Sequence, residues 1–288
     1  MNPMKLGLVL SVQQARFEAV AFKGDLDHNL AKIAGWGYDG VELAIRDPRA
    51  VDAEELADLV AAQGLVVPAI GTGQAWGEER LSYSDPDPAV RRAAIERTKA
   101  HIPVAHRLDA IIIIGLLRGL IQPGVSRAQA MGWMTDALAE CCVEAAESGV
   151  RIAVEPINRY ETTLVNTVAQ GLELIDRVGA ANLGLLFDTF HANIEEKSIP
   201  AGYRTVGPYL KHVHSCENDR GIPGTGHVDW MGVFQALRDL RYDGWVTIES
   251  FGFALGELSA AASIWRDIAP SPEAIAFEGV KFLKKHLA

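Results

Sequence analysis

Glu155 is a carboxylate at the end of a short apolar strand, where an acid is costly to bury. In the segment Arg151–Glu161 (RIAVEPINRYE) side chains alternate across the strand, so Glu155 shares a face with Ala153. Pro156 removes a backbone donor and ends the strand at Glu155. An acid that points inward at this position needs a cation nearby. A salt bridge at the rim would explain one such residue, but three later segments end in the same way.

Those three segments also end on polar side chains whose parity points inward: LGLLFD ends at Asp188, LKHVH at His214 and WVTIE at Glu249. Residues two positions earlier share the inward face, and the residues between them face outward: Leu186, His212 and Thr247 are inward, and Phe187, Val213 and Ile248 outward. Three carboxylates at one height repel each other, and no Lys or Arg ends these strands, which weakens the alternative of buried salt bridges. We therefore predict that Glu155, Asp188, His214 and Glu249 bind one divalent metal ion. Mostly oxygen ligands with one imidazole suit Mn²⁺, Mg²⁺ or Co²⁺, and Zn²⁺ less well.

The run His212, His214 and Cys216 also has the residue types of a zinc site. Residues two apart on a strand stack along its axis and do not easily close a tetrahedron. We predict that His212 is a core histidine beneath the metal. Cys216 is expected to have no ligand role, because no CxxC accompanies it.

Eight short apolar blocks, separated by helical patterns, are expected to position these residues. The predicted strands are Lys5–Leu10, Gly40–Ala44, Leu65–Ile70, Ala110–Gly115, Val150–Glu155, Leu183–Asp188, Tyr209–His214 and Trp245–Glu249. Strand then helix, eight times within 288 residues, predicts an α/β fold: a (β/α)8 TIM barrel that spans residues 1–288 as a single domain. A doubly wound sheet would require a glycine-rich phosphate turn after the first strand, where the sequence is LSVQQ.

Capping residues set the expected helix ends. The predicted N-caps are Asp52, Asp87, Ser126, Thr167 and Asp229, and the predicted stops are Gly64, Gly149 and Gly179. The longest predicted helix is Ala89–Arg107. The tail from Leu258 to Leu287 is expected to be helical, with breaks at Pro270 and Pro272.

Composition excludes several classes of protein. Hydrophobic residues make up 49% of the chain, but no run approaches the ~20 residues of a membrane span. The apolar start, Leu6–Leu10, is too short for a signal-peptide core, and three cysteines give no disulfide framework. The net charge of −10 argues against a nucleic-acid partner. We expect a cytoplasmic protein without membrane contact.

Four motifs resemble those of a known family: EPINRYE, LFDTFHANIEE, HVHSCENDR and TIESF. They are similar to the sugar isomerase/epimerase family of xylose-isomerase-like TIM barrels, most of all to ketose 3-epimerases of the D-tagatose and D-psicose type. The resemblance covers the chain and is most specific between Glu155 and Phe251. It implies one Mn²⁺ or similar ion on the four strand-end ligands, and a small sugar substrate bound by Glu161, His191 and Arg220. It also implies a homo-oligomer, a dimer or a tetramer.

The resemblance implies inversion of C3 of a ketose through a cis-enediolate. Glu155 and Glu249 would act as acid and base: one removes the C3 proton, and the other returns a proton from the opposite face. The loops after the first four strands give no firm match, so the sequence leaves the identity of the sugar open. Phe251 and Trp76 are candidates for an apolar wall. Arg118 is the loop cation best placed for a phosphate.

Other functions use similar residues. An aldose–ketose isomerase of the hydroxypyruvate isomerase type shares EPIN but continues differently, and NRYE favours the epimerases. An inosose dehydratase or an epimerase of a sugar phosphate would have similar ligands. Related endonuclease barrels need more histidine ligands and a basic face. A sugar-binding protein without catalysis would not need both Glu155 and Glu249.

Overall fold

The computed structural model describes residues 4–13, 22–249, 251, 264 and 266–287. Eight parallel strands form a closed barrel in chain order, and β1 pairs with both β2 and β8. The strands are β1 (Lys5–Ser11), β2 (Gly40–Ala44), β3 (Ala69–Gly71), β4 (Ile111–Ile114), β5 (Ile152–Val154), β6 (Leu183–Asp188), β7 (Leu210–His214) and β8 (Trp245–Ile248). The predicted TIM barrel is confirmed.

Helices follow the strands along the chain. They are α1 (Leu26–Gly35), α2 (Ala53–Ala62), α3 (Gly73–Glu79), α4 (Pro88–Leu108), α5 (Arg127–Glu147), α6 (Val168–Val178), α7 (Thr189–Glu195), α8 (Ile199–Val206), α9 (Trp230–Asp239) and α10 (Pro272–Leu287). Each of the five predicted N-caps accepts a hydrogen bond from a first-turn amide. The first part of the predicted helical tail, residues 258–263, lies outside the described residues. No helix in the described part of the chain is long and apolar enough to cross a bilayer.

The third strand is shorter than the predicted Leu65–Ile70. Only an isolated bridge joins Val66 to Gly40, and the strand begins at Ala69. Pro68 has no backbone N–H, so the ladder cannot continue through it. Strand β5 ends at Val154, but the Glu155 amide still donates to the carbonyl of Ile114 at 3.1 Å. Glu155 therefore sits where the ladder stops.

The apolar core has two parts, one inside the barrel and one between the strands and the helices. The interior layer consists of Ala69, Ile111, Ile113, Ala153 and Leu186. The much larger outer layer includes Phe187, Val213 and Ile248. This division confirms the alternation predicted for these strands, and it means that strand-end side chains of the inner parity meet at the mouth of the barrel.

Candidate active site

A cavity of about 130 Å³ opens at the carboxyl ends of the strands. Six of the seven predicted site residues line it: Glu155, Glu161, His191, His214, Arg220 and Glu249. The seventh, Asp188, is almost fully buried, and its carboxylate contacts Arg220 and His191. The sequence therefore identified residues that the fold brings to one place.

The four predicted metal ligands come from four consecutive strand ends. Asp188 and His214 are register partners on β6 and β7. Nδ1 of His214 lies 3.7 Å from Oε1 of Glu155 and 3.8 Å from Oε2 of Glu249. Burial raises the pKa of Glu249 to about 7, although Arg220 and His214 act in the opposite direction.

Two atoms of the predicted metal ligands have no hydrogen-bond partner. Nδ1 of His214 and Oε1 of Glu155 are both buried and unpaired, and 3.7 Å is too long for a hydrogen bond between them. Unpaired polar atoms are costly in a protein interior. Carboxylate oxygens and an imidazole nitrogen that converge in this way suit a divalent cation. The residues therefore fit the predicted metal ion.

Arg220 supplies the cation that the strand ends lack. It comes from the loop after β7, and its Nη1 donates to Oδ2 of Asp188 at 3.0 Å and to Oε2 of Glu249 at 2.8 Å. Its guanidinium stacks between the rings of Phe190 and Phe251, 3.9 and 4.4 Å from their centroids. This contact could not be predicted from the strand ends, because Arg220 lies six residues beyond His214, in the following loop.

The loop that carries Arg220 folds around a buried carboxylate. Glu217 is fully buried and accepts hydrogen bonds from the amides of Gly224 and Val228 and from Nε1 of Trp230, at 2.8, 3.0 and 2.8 Å. Arg220 itself has a positive φ of 67°, which is uncommon for a residue with a side chain. Sequence analysis gave Glu217 no role. A glutamate at the start of a glycine-rich loop was the available signal.

Asn158 links two of the predicted substrate-binding residues. Its Nδ2 lies 2.8 Å from both Oε1 of Glu161 and Nδ1 of His191. Because an amide nitrogen only donates, Nδ1 of His191 must accept, and its proton is on Nε2. Burial lowers the pKa of His191 well below its usual value, and Arg220 and Arg118 add to the effect. A neutral His191 therefore presents an N–H donor, 3.6 Å from Oε1 of Glu155.

Glu42 on β2 is a buried acid in the barrel that sequence analysis missed. Its Oε2 lies 2.8 Å from Nε2 of His214 and 2.9 Å from Nε2 of His212. Burial alone would raise the pKa of Glu42, but His214 and His212 hold it at about 2. His212 is buried beside His214, as predicted. The parity argument, applied to the block GVELA, would have placed Glu42 inside as well.

Arg118 is not available for a phosphate, contrary to the sequence-based interpretation. Its side chain is fully buried, and Nη1 donates to the backbone carbonyl of Glu155. Burial lowers the pKa of Arg118 to about 10, with Glu155 and Glu161 opposing this shift. Arg118 thus contacts the end of β5 and is not among the described residues that line the cavity.

The opposite wall of the cavity comes from β1 to β4 and the residues after them. Its apolar side chains are Val9, Ala44, Ile113 and Leu116, and its polar side chains are Glu42, Thr72 and Gln74. Phe251 lines the cavity as predicted. Trp76 is not among the described wall residues, and its ring packs 4.8 Å from the guanidinium of Arg80.

Comparison with known proteins places the chain in a family. Residues 30–286 match the model of the xylose isomerase-like TIM barrel family. The chain belongs to this family. The resemblance inferred from the four motifs is therefore confirmed.

Relatives in the xylose isomerase-like family include several epimerases. A probable ketose 3-epimerase of Synechocystis sp. is 34% identical over 271 residues, 92% of each chain. The ketose 3-epimerase of Arthrobacter globiformis is 30% identical and covers 99% of this chain and 97% of its own. The solved structure of an L-ribulose 3-epimerase superposes with a TM-score of 0.86 at 30% identity, over 99% of this chain and 94% of that one. D-psicose 3-epimerase of Clostridium cellulolyticum H10, solved with D-tagatose, gives a TM-score of 0.85 at 26% identity over 99% of both chains.

Proposed function

We propose that this protein is a metal-dependent epimerase that inverts C3 of a ketose. The observation that carries the proposal is the position of Glu155 and Glu249, whose carboxylates approach Nδ1 of His214 to 3.7 and 3.8 Å at one end of the cavity. The ketose 3-epimerases among the relatives support the choice of reaction.

Glu155, Asp188, His214 and Glu249 would hold one divalent ion, with Mn²⁺ favoured and Mg²⁺ or Co²⁺ as alternatives. When bound, such an ion supplies Lewis acidity, which makes the hydrogen next to a ketose carbonyl easier to remove. The unpaired Nδ1 of His214 and Oε1 of Glu155 support this assignment.

The two glutamates would move the proton. Glu155 follows β5 and Glu249 follows β8, so the two carboxylates come from different sectors of the barrel. A ketose held between them would present opposite faces of C3 to the two side chains. One glutamate takes the proton from one face, the other returns a proton to the other face, and C3 is inverted.

Three further residues would hold the sugar. Neutral His191 offers an N–H, and Glu161 offers a carboxylate that can accept a hydroxyl hydrogen. Arg220 offers guanidinium donors, one of which, Nη1, contacts Asp188 and Glu249. Together these groups would fix the orientation of the oxygens next to the reacting carbon.

A free ketose fits this cavity better than a sugar phosphate. Arg220 is the only Lys or Arg among the described wall residues, and it is paired with Asp188 and Glu249. Arg118 is buried beneath Glu155. The described wall residues from β1 to β4 include the acid Glu42 and no basic side chain, which does not suit a dianion. A dimer or tetramer remains a prediction that rests on the family resemblance.

A ketose panel tests the proposal. The metal-stripped protein is assayed with and without added Mn²⁺ on fructose, psicose, tagatose, sorbose, ribulose, xylulose and erythrulose. We expect the C3 epimer of at least one ketose with Mn²⁺ and no turnover after chelation. Aldose as the product would instead assign the protein to the aldose–ketose isomerases, and full activity without metal would contradict the metal site.

A further inference from the structure

We propose that Glu42 is a positioning residue that sets the tautomer and the orientation of His214. By accepting a hydrogen bond from Nε2, Glu42 would leave Nδ1 of His214 with a free lone pair directed at the metal position. This inference rests on the proposed metal site and extends it to β2, which contributes none of the four predicted ligands.

The hydrogen bonds define where the protons are. Oε2 of Glu42 lies 2.8 Å from Nε2 of His214 and 2.9 Å from Nε2 of His212. A carboxylate with its charge only accepts, so each Nε2 must carry a hydrogen. A histidine must be neutral to bind a metal ion, and a neutral imidazole has one N–H, so in the metal-bound form Nδ1 of His214 would carry the free lone pair. That atom lies 3.7 Å from Oε1 of Glu155 and 3.8 Å from Oε2 of Glu249, two of the other proposed ligands.

Burial makes Glu42 difficult to replace. Glu42, His212 and His214 are all at most 2% exposed, and a hydrogen bond in such surroundings is stronger than in water. Strands β2 and β7 are not neighbours in the barrel, so Glu42 reaches across the interior to β7. The ring of a histidine at a strand end would otherwise turn about its side-chain bonds. A hydrogen bond to the nitrogen opposite the metal is a recurrent means of fixing such a ligand.

His212 also donates a hydrogen bond to Glu42. Its donation to the same Oε2 holds the carboxylate in place, and Oγ1 of Thr247 lies 3.0 Å from its Nε2. Gly7 makes room for this threonine, because a Cβ at that position would lie 2.6 Å from Oγ1 of Thr247. Glu42 thus accepts hydrogen bonds from two histidines, and of these His214 lines the cavity.

The test replaces Glu42 by glutamine, which has a similar shape. Both rings donate to Oε2, and the amide oxygen of a glutamine can take the same place, but it carries no negative charge, so its hydrogen bonds to the two imidazoles are weaker than those of the carboxylate. For E42Q stripped of metal, we expect the dissociation constant for Mn²⁺, measured by calorimetry, to rise by about 10–100-fold. Turnover should recover substantially when Mn²⁺ is raised to saturation, because Glu42 takes no part in the proposed proton transfer between Glu155, Glu249 and C3.

Thr247, which is as deeply buried as Glu42, provides the matched control. Thr247→Val removes a hydroxyl that contacts His212 but leaves the pair of Glu42 and His214, so its Mn²⁺ affinity should equal that of the wild type. If E42Q fails to fold by circular dichroism, Glu42→Asp provides the second variant. Its carboxylate is one methylene shorter and should weaken Mn²⁺ binding in the same direction. Nitrogen-15 spectra of the Mg²⁺-loaded wild type should show the proton of His214 on Nε2.

Several outcomes would overturn the inference. Wild-type Mn²⁺ affinity in E42Q, or a proton on Nδ1 of His214 in the Mg²⁺-loaded protein, would contradict the positioning role. Two ions per wild-type chain, one of them lost in E42Q, would make Glu42 a ligand instead. Failure of the wild type itself to bind Mn²⁺ would contradict the proposed function, and this inference would fall with it.

Discussion

Nη1 of Arg220 lies 2.8 Å from Oε2 of Glu249, so a cation from the loop after β7 contacts the glutamate that follows β8. The same nitrogen also donates to Asp188 at 3.0 Å. Two acids that could not otherwise share a buried space are thereby partly neutralised. The contact makes the stability of the site and its chemistry depend on one side chain.

Arg220→Ala should destabilise the metal-free protein. Removal of one partner from a buried ion pair leaves an uncompensated charge and costs about 3–5 kcal/mol, so urea titration should show a loss of this size. Mn²⁺ should restore part of the lost stability, since it would neutralise the same carboxylates. The matched control is Arg204→Ala, whose exposed side chain pairs with the exposed Asp239 and whose loss should have far less effect. Equal effects of the two substitutions would contradict the role of Arg220.

Glu155→Gln and Glu249→Gln should lose more turnover than reduced metal binding explains. An amide oxygen can still coordinate weakly, but an amide cannot act as a general acid or base at neutral pH. With Mn²⁺ at saturation, the turnover number should fall by about 10²–10⁴-fold in each variant. Metal content is measured by elemental analysis on the same samples. Near-normal turnover of metal-saturated Glu155→Gln would rule out its role in proton transfer.

Glu217→Gln should disturb the loop that presents Arg220. Oε2 of Glu217 accepts from the Gly224 amide and from Nε1 of Trp230, while Oε1 accepts from Val228. An amide can serve only one side of this set, so the free energy of unfolding should fall by at least about 2 kcal/mol. The KM for the ketose should rise. Asp219→Asn, an acid-to-amide change in the same loop, should change both quantities less, and equal changes would contradict the proposed role of Glu217.

The strand ends could be read from the sequence because they depend on local rules. Alternation along β6 and β7 placed Leu186 inside the barrel and Phe187 and Val213 outside, and this held without knowledge of the three-dimensional contacts. Pro68 was the exception: a missing donor shortened β3, although its residues looked like a strand. Parity and turn chemistry therefore gave the fold and the inner ring of side chains.

Contacts between distant parts of the chain were not predictable in this way. Glu42 and His214 are 172 positions apart in the sequence, and Arg220 and Asp188 are 32 positions apart. Periodicity describes which face a residue occupies but not which side chain it meets on the opposite strand. Arg118 shows the converse error, since a loop cation that looked exposed is buried beneath Glu155.

The central claim, inversion at C3 by two glutamates, is tested most directly by nuclear magnetic resonance in heavy water. The Mn²⁺-dependent reaction is run on the ketose that the panel identifies, and the product is examined after removal of the metal. If one glutamate takes the C3 proton and the other returns one from the opposite face, the product carries deuterium at C3 from the first turnover. The hydrogens on C1 should remain unlabelled. Deuterium at C1 with formation of an aldose, or C3 inversion without any exchange, would contradict the account.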